Sequence, residues 1–282
     1  MKVLVTGASG FVGSHLTKEL TKRGIEWVSY HREFDQPKSF KGFDAIIHLA
    51  AKVHDMKYPT IDAFIPGNVE LTKRLVMRAK EDKVSHFIFL SSIKVNGEER
   101  EEPYFEVDVP APKDPYGLSK WMAENTIKEI CSTKDSDSND STKLSYTIIR
   151  PPLIFGEGVK GNFELLQKIA KIPLPLPLGG IKNKRSFIHV NNLVDLIIYV
   201  ATHKKEAQNK TLLASDGNDY STTELLIKFG KKPWMLFYVP KSWFKFFFKL
   251  IGKEHYYAKI FESLTINGER ILGNINQKIS DT

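Results

Sequence analysis

The sequence predicts an α/β fold, a doubly wound parallel sheet followed by a smaller C-terminal lobe, on three observations. Short apolar runs alternate with stretches of helical periodicity as far as residue 150, and a glycine-rich turn joins the first run to the first helical stretch. Beyond Arg150 the pattern changes to shorter elements separated by prolines, at Pro151-Pro152 and from Pro173 to Pro177. The predicted strands are Lys2–Val5, Glu26–Tyr30, Ala45–Leu49, Phe87–Leu90 and Tyr146–Ile149, mostly apolar as strands buried on both faces are. The helices between them are Phe11–Arg23, Asn68–Lys80 and Tyr116–Ile130. Right-handed crossovers then bring the carboxyl ends of the strands to one edge, where the chemistry is expected.

The first strand runs directly into Thr6-Gly7-Ala8-Ser9-Gly10-Phe11-Val12-Gly13. Glycines at 7, 10 and 13 allow a tight turn, a close approach of backbone N–H groups to a diphosphate, and close packing of helix on strand. The helix N-terminus adds the positive end of its dipole. A dinucleotide is therefore the expected ligand, with Gly7, Gly10, Phe11, Val12 and Gly13 around it, and the sheet is of the Rossmann type.

Residues 1–150 form the predicted nucleotide-binding part and residues 151–282 the smaller lobe, with interleaving of the two allowed. Helices are expected in the lobe at Phe163–Lys171, at Asn192–Thr202, and after Ser221-Thr-Thr-Glu224, which has the form of a capping box. Residues Ser132–Lys143 are polar and short-chained and read as a surface loop. The aromatic, lysine-bearing stretch Pro233–Gly252 fits two descriptions, a core-facing helix with snorkelling lysines or an interfacial membrane helix; the first is preferred, and peripheral membrane contact is not expected.

A chain of 282 residues with 41% hydrophobic content can bury a full core. Its net charge of +8 is spread along the chain rather than gathered in a tail, which suits a phosphorylated ligand and not nucleic acid. A lone cysteine, Cys131, forms no internal disulfide, and Met1 leads straight into a strand with no signal peptide, so a cytoplasmic protein is expected. The eight histidines show no HxxxH or HExxH spacing, and no metal is expected.

The catalytic signal is Tyr116-Gly117-Leu118-Ser119-Lys120, because residues four apart share a helix face and an ammonium there can stabilise a phenolate. Before it, the strand Phe87–Leu90 ends in Ser91-Ser92. Ser91 reads as a backbone-capping serine. His48 reads as a packed strand residue rather than an acid or base.

With its GxxGxxG spacing and YxxxK pair, the chain resembles the extended short-chain dehydrogenase/reductases, and over residues 1 to about 230 the nucleotide-sugar epimerase/dehydratase group. The resemblance implies Ser92, Tyr116 and Lys120 as the catalytic set, with Ser92 the orienting donor. It implies cofactor contacts from the turn His48-Leu49-Ala50-Ala51, from Asn68, and from Pro151 in Arg150-Pro-Pro-Leu-Ile-Phe-Gly156, beside those of Tyr116 and Lys120. It also implies substrate contacts from Ser92, Asn162 and Arg185, the last binding the diphosphate of a nucleotide sugar, and a possible homodimer through the helix that carries Tyr116.

Two departures bear on the reaction. Members that prefer NAD carry a carboxylate at the end of the second strand; here His31 and Arg32 stand there and favour NADP over NAD, with Glu33 and Asp35 close by. The C-terminal stretch Leu272-Gly273-Asn274 also lacks the group's Gly-Trp-x-Pro turn. The leading expectation is a 4-epimerase of UDP-hexose or UDP-N-acetylhexosamine type serving surface polysaccharide synthesis. An NADPH-dependent 4-keto-sugar reductase is the rival, and a catalytically silent NADP-binding regulator a distant third.

Overall fold

The computed structural model describes residues 1–30, 39–53, 60–133, 143–159, 162–250, 252 and 254–267. Strands β1 (Lys2–Thr6), β2 (Glu26–Tyr30), β3 (Ala45–His48), β4 (His86–Leu90), β5 (Ser145–Arg150) and β9 (Lys210–Leu213) form one six-stranded parallel sheet in the order β2-β1-β3-β4-β5-β9. The order reverses between β1 and β3, so a crevice opens at their carboxyl ends, the place where open α/β sheets bind ligands.

Alternation within the strands explains why both faces are covered. Val3 and Val5 point to one side, with Leu16 and Leu20 of α1 (Phe11–Lys22) and Leu193 and Ile197 of α5 (Val190–Thr202). Leu4, Phe87 and Phe89 point to the other, with Leu75 and Val76 of α2 (Leu71–Glu81) and Ala123 and Ile127 of α3 (Pro115–Ser132). Each buried Leu, Ile or Phe stabilises the sheet by about 1.5–3 kcal/mol relative to exposure. The helix read from Asn68 differs from this expectation. A π-helical turn spans Ile65–Glu70, with Pro66 in its first turn where a missing N–H costs no hydrogen bond, and the α-helix begins at Leu71.

The smaller lobe holds a three-stranded sheet, β10 (Asp219–Tyr220), β8 (Arg185–His189) and β6 (Leu153–Phe155), flanked by α4 (Asn162–Ala170) and α7 (Thr222–Lys228). Two further strands, β7 (Leu176–Gly179) and β11 (Leu236–Tyr238), pair with each other. Ser221 and Glu224 make the reciprocal capping box at the start of α7. A division at residue 150 is not a clean cut: β9 joins the main sheet and α5 packs on it, so the chain returns after β8 to complete the first unit.

The core-facing reading of Pro233–Gly252 is corrected. Helix α8 (Lys241–Leu250) buries no residue, and Trp243, Phe246, Phe247 and Leu250 are exposed. Of the loop read over Ser132–Lys143, residues 134–142 lie outside the described residues, as do His31 and Arg32.

Candidate active site

The glycine turn and the turn after β3 meet at the topological reversal. Gly7 has φ +71°, and a Cβ there would stand 2.8 Å from the Ala50 nitrogen; a Cβ on Gly13 would stand 2.1 Å from the Gly7 oxygen. Both positions therefore require glycine. Leu49 N–H donates to the Thr6 carbonyl (3.2 Å) and Ala50 N–H to the Thr6 hydroxyl (3.1 Å), which fixes Leu49, Ala50 and Ala51 beside the glycines. Helix α1 starts with Gly10 as its N-cap, without a side-chain cap or an acidic residue in its first turn. The N–H groups of that turn, at Phe11, Val12 and Gly13, suit a diphosphate. Among the described residues the Ser29 hydroxyl, next to the end of β2, is buried without a partner. These features fit a dinucleotide.

Asn68 links this turn to α3. Its Oδ1 accepts from Lys52 N–H (2.7 Å), and its Nδ2 donates to the Lys52 carbonyl (3.1 Å) and the Ser119 hydroxyl (2.9 Å). His48 shares protons with the Thr6 and Thr72 hydroxyls at 2.6 and 2.9 Å and is fully buried, as a packed histidine would be.

Helix α3 begins at Pro115 with Asp114 as N-cap, its carboxylate accepting from Gly117 N–H at 2.6 Å. Asp114 also pairs with Lys94, which reaches Glu98 at 2.8 Å. Tyr116 thus sits in the first turn, at the positive end of the helix, and Lys120 one turn on. Gly117 lets the helix press against the turn that follows β4: a Cβ there would stand 2.6 Å from the Lys94 oxygen. Ser92 caps that turn, with its hydroxyl accepting from Lys94 N–H at 3.3 Å, and Ile93 N–H donates to the Pro151 carbonyl at 3.0 Å. Lys120 Nζ donates to the Leu90 carbonyl (2.7 Å) and lies 4.3 Å from the centre of the Phe89 ring. The structure therefore brings Ser92, Tyr116, Lys120 and Pro151 to the carboxyl ends of β4 and β5, beside the crevice.

Burial shapes the charges here. It pushes the Tyr116 phenol well above its ordinary value, and the nearby Asp114 carboxylate pushes the same way. Burial also pulls Lys120 down to about 7, while Glu124 opposes the shift. A phenolate at Tyr116 therefore needs compensating positive charge.

Beneath the pair lies a network that sequence reasoning missed. Glu124, one turn beyond Lys120, is fully buried and accepts from Arg150 Nε (2.9 Å), Arg150 Nη2 (2.5 Å) and the Ser91 hydroxyl (2.5 Å). Arg150 also donates to Asn96 Oδ1 at 2.9 Å. Ser91 is thereby a structural donor and Ser92 alone remains beside the crevice. The spacing Tyr116-x3-Lys120-x3-Glu124 was the available signal, since it sets all three on one helix stripe.

In the smaller lobe Arg185 opens β8, and its guanidinium donates to the carbonyls of Ala258 (3.5 Å) and Glu262 (3.2 Å), at the C-terminal end of α9 (Glu254–Phe261) and just beyond it. Burial lowers its proton affinity, and Glu98 and Glu99 oppose that. The segment Leu264–Ile266 bridges to Arg185 and Tyr104, so it runs along this side of the lobe; Leu272, Gly273 and Asn274 lie outside the described residues. Asn162 is the first residue of α4; its side chain lies outside the described residues. A separate cavity of about 340 Å³, walled by Phe155, Phe163, Phe187, Tyr220 and Phe229, is lined by none of Ser92, Tyr116, Lys120 and Arg185.

A nucleotide crevice beside a Tyr/Lys pair on one helix defines a nicotinamide-dependent enzyme of the short-chain dehydrogenase/reductase fold. The NAD dependent epimerase/dehydratase family matches residues 3–214, and the chain belongs to that family. It is 34% identical to a UDP-glucose 4-epimerase of Vibrio cholerae, across 94% of this chain and 87% of the relative. It is also 34% identical to the N-acetyl-alpha-D-glucosaminyl-diphospho-ditrans,octacis-undecaprenol 4-epimerase of Escherichia coli O157:H7, across 70% of this chain and 62% of that relative. Among solved structures, MoeE5 in complex with UDP-glucose and NAD superposes with a TM-score of 0.72 at 23% identity, covering 98% of this chain and 92% of MoeE5.

Proposed function

We propose that the protein is a 4-epimerase of a diphosphate-linked hexose or N-acetylhexosamine, with a UDP-sugar as its substrate and surface polysaccharide synthesis as its setting. The observation that carries this reading is the placement of Tyr116 and Lys120 on one stripe of α3, with Lys120 anchored at Leu90 and Ser92 capping the next turn. Gly7, Gly10, Phe11, Val12, Gly13, Leu49, Ala50, Ala51, Asn68 and Pro151 hold the dinucleotide in this account. A bound nicotinamide would supply the acceptor for a hydride from C4 of the sugar and the donor for its return to the other face.

The protein's own groups handle the proton. Tyr116 as phenolate accepts the proton of the C4 hydroxyl and later returns it to the same oxygen. Ser92 donates a hydrogen bond to that oxygen and fixes its position. Lys120 as ammonium, together with the positive end of α3, offsets the cost of the buried phenolate. In the smaller lobe Arg185 holds the diphosphate through its planar fork, and Asn162 is assigned a further contact to the diphosphate or the sugar. The cofactor is NAD or NADP, and within this reading His31 and Arg32 lean toward NADP.

Incubation with UDP-glucose or UDP-N-acetylglucosamine, followed by chromatography and NMR of the product, tests the reading. It predicts conversion to the C4 epimer without net oxidation of the cofactor, and one nucleotide released per chain on denaturation. Stoichiometric consumption of NADPH with a 4-keto sugar, and no epimer, would instead establish the reductase.

A further inference from the structure

Residues 225–250 contain six lysines, at 228, 231, 232, 241, 245 and 249, and no aspartate or glutamate. Within this stretch α8 carries three distinct stripes. Phe244 and Phe248, four apart, form the inner one, half-buried, with the Phe244 ring 4.8 Å from that of Phe261 on α9. Lys241, Lys245 and Lys249, also four apart, run along a flank. Trp243, Phe246, Phe247 and Leu250 stand at i, i+3, i+4 and i+7, the spacing of an apolar face, and are 73%, 70%, 54% and 74% exposed. The helix thus satisfies its inner contacts with two phenylalanines and turns its larger apolar face to solvent, where a soluble surface rarely leaves such a patch uncovered. Trp234, Phe237 and Tyr238 nearby in the sequence are exposed too, at 78%, 49% and 69%.

We infer that this face of α8 docks the protein on an anionic lipid bilayer, with the helix lying in the headgroup layer. Charge decides between occupants. Lysines beside the apolar face, without a carboxylate in the stretch, complement acidic headgroups; two copies of the chain joined by this face would bring the same lysines together. The aromatic content agrees, since Trp and Phe place ring area at the boundary between acyl chains and headgroups. Lys241 reaches the Phe261 carbonyl at 3.5 Å and Lys245 lies within electrostatic reach of Glu99, while Lys249 is exposed. No helix among the described residues is long and apolar enough to cross a membrane, so the attachment is peripheral. The docking also has a geometric consequence: α8 packs on α9, near whose C-terminal end the Arg185 guanidinium lies, so the bilayer would lie along the lobe assigned above to the diphosphate.

Sedimentation with vesicles of phosphatidylglycerol and phosphatidylcholine tests the inference, with phosphatidylcholine vesicles as the comparison. The full chain should sediment with the anionic vesicles and far less with the neutral ones, and brominated acyl chains should quench tryptophan fluorescence. The Trp243→Ser/Phe246→Ser/Leu250→Ser variant should lose binding by at least about tenfold. Lys245→Glu/Lys249→Glu should lose it with a weakened salt dependence, and Trp243→Phe should keep binding but lose part of the quenching. Circular dichroism and turnover of a soluble UDP-sugar, unchanged in these variants, would show that they fold and keep the proposed reading separate from this one. Equal binding of the triple variant and the full chain overturns the inference. So does an absence of vesicle binding, including the case where equilibrium sedimentation finds a dimer that the triple variant dissolves.

Discussion

Replacing Glu124 by Gln isolates the buried charge pair that underlies the catalytic helix. Glu124 is completely buried and Arg150 only 2% exposed, with three hydrogen bonds converging on the carboxylate. Glutamine keeps the shape but removes the charge and turns its NH₂ toward a donor, leaving the guanidinium desolvated without a counter-ion. Breaking one partner of such a pair costs about 3–5 kcal/mol, which in a chain of this size lowers Tm by roughly 10 °C. Removing both charges, in Glu124→Gln/Arg150→Met, should recover most of that loss, because the uncompensated charge and not the missing attraction dominates. Glu124 also raises the proton affinity of Lys120, so the single variant should lose activity at lower pH than the parent on the alkaline side. Urea unfolding of both variants, with a pH–rate profile of the single one, reads these effects. A single variant within about 1 kcal/mol of the parent, the range of an exposed pair, would refute the reasoning.

Three further outcomes follow from the geometry. Gly7→Ala meets both a positive φ and the Ala50 nitrogen at 2.8 Å, so cofactor content after purification should fall sharply while circular dichroism is retained. Gly117→Ala must displace the start of α3 from the Lys94 carbonyl, and kcat should fall with the cofactor still bound, at a stability cost of about 1–3 kcal/mol measured by denaturant titration. His86, buried between the Ser145 and Thr147 hydroxyls, has its proton affinity lowered to about 4, chiefly by burial and next by Lys204. Its folded value lies below the ordinary 6.5, so the unfolded chain takes up the proton first; stability is unaffected above that pH and declines by about 3 kcal/mol as pH falls from 6.5 to 4. His86→Gln should flatten that slope in unfolding measured across this range.

The parts legible in the sequence were those with a strong local period or a steric requirement. Glycines at 7, 10 and 13, alternating apolar runs and the Tyr116/Lys120 spacing each depend on neighbours within one turn or strand. Ser221 and Glu224 were readable for the same reason. Longer-range pairings were not. Lys210–Leu213 is only four residues long and becomes a strand because β5 offers it an open edge. Glu124 and Arg150 look like solvated charges on their own elements until β5 and α3 bring them together. Helix α8 has an apolar stripe on each of two faces, and periodicity alone does not say which one packs against its neighbour α9. Only the contact of Phe244 with Phe261 decides it.

The most direct test of the central claim is turnover by Tyr116→Phe with a UDP-sugar, read together with the nucleotide released on denaturation. Phenylalanine keeps the ring, which stands edge-on to Phe64 with centroids 6.1 Å apart, and removes only the hydroxyl. The expected result is a loss of kcat of at least about a hundredfold, with bound cofactor unchanged. Epimerisation at a rate close to that of the parent would contradict it.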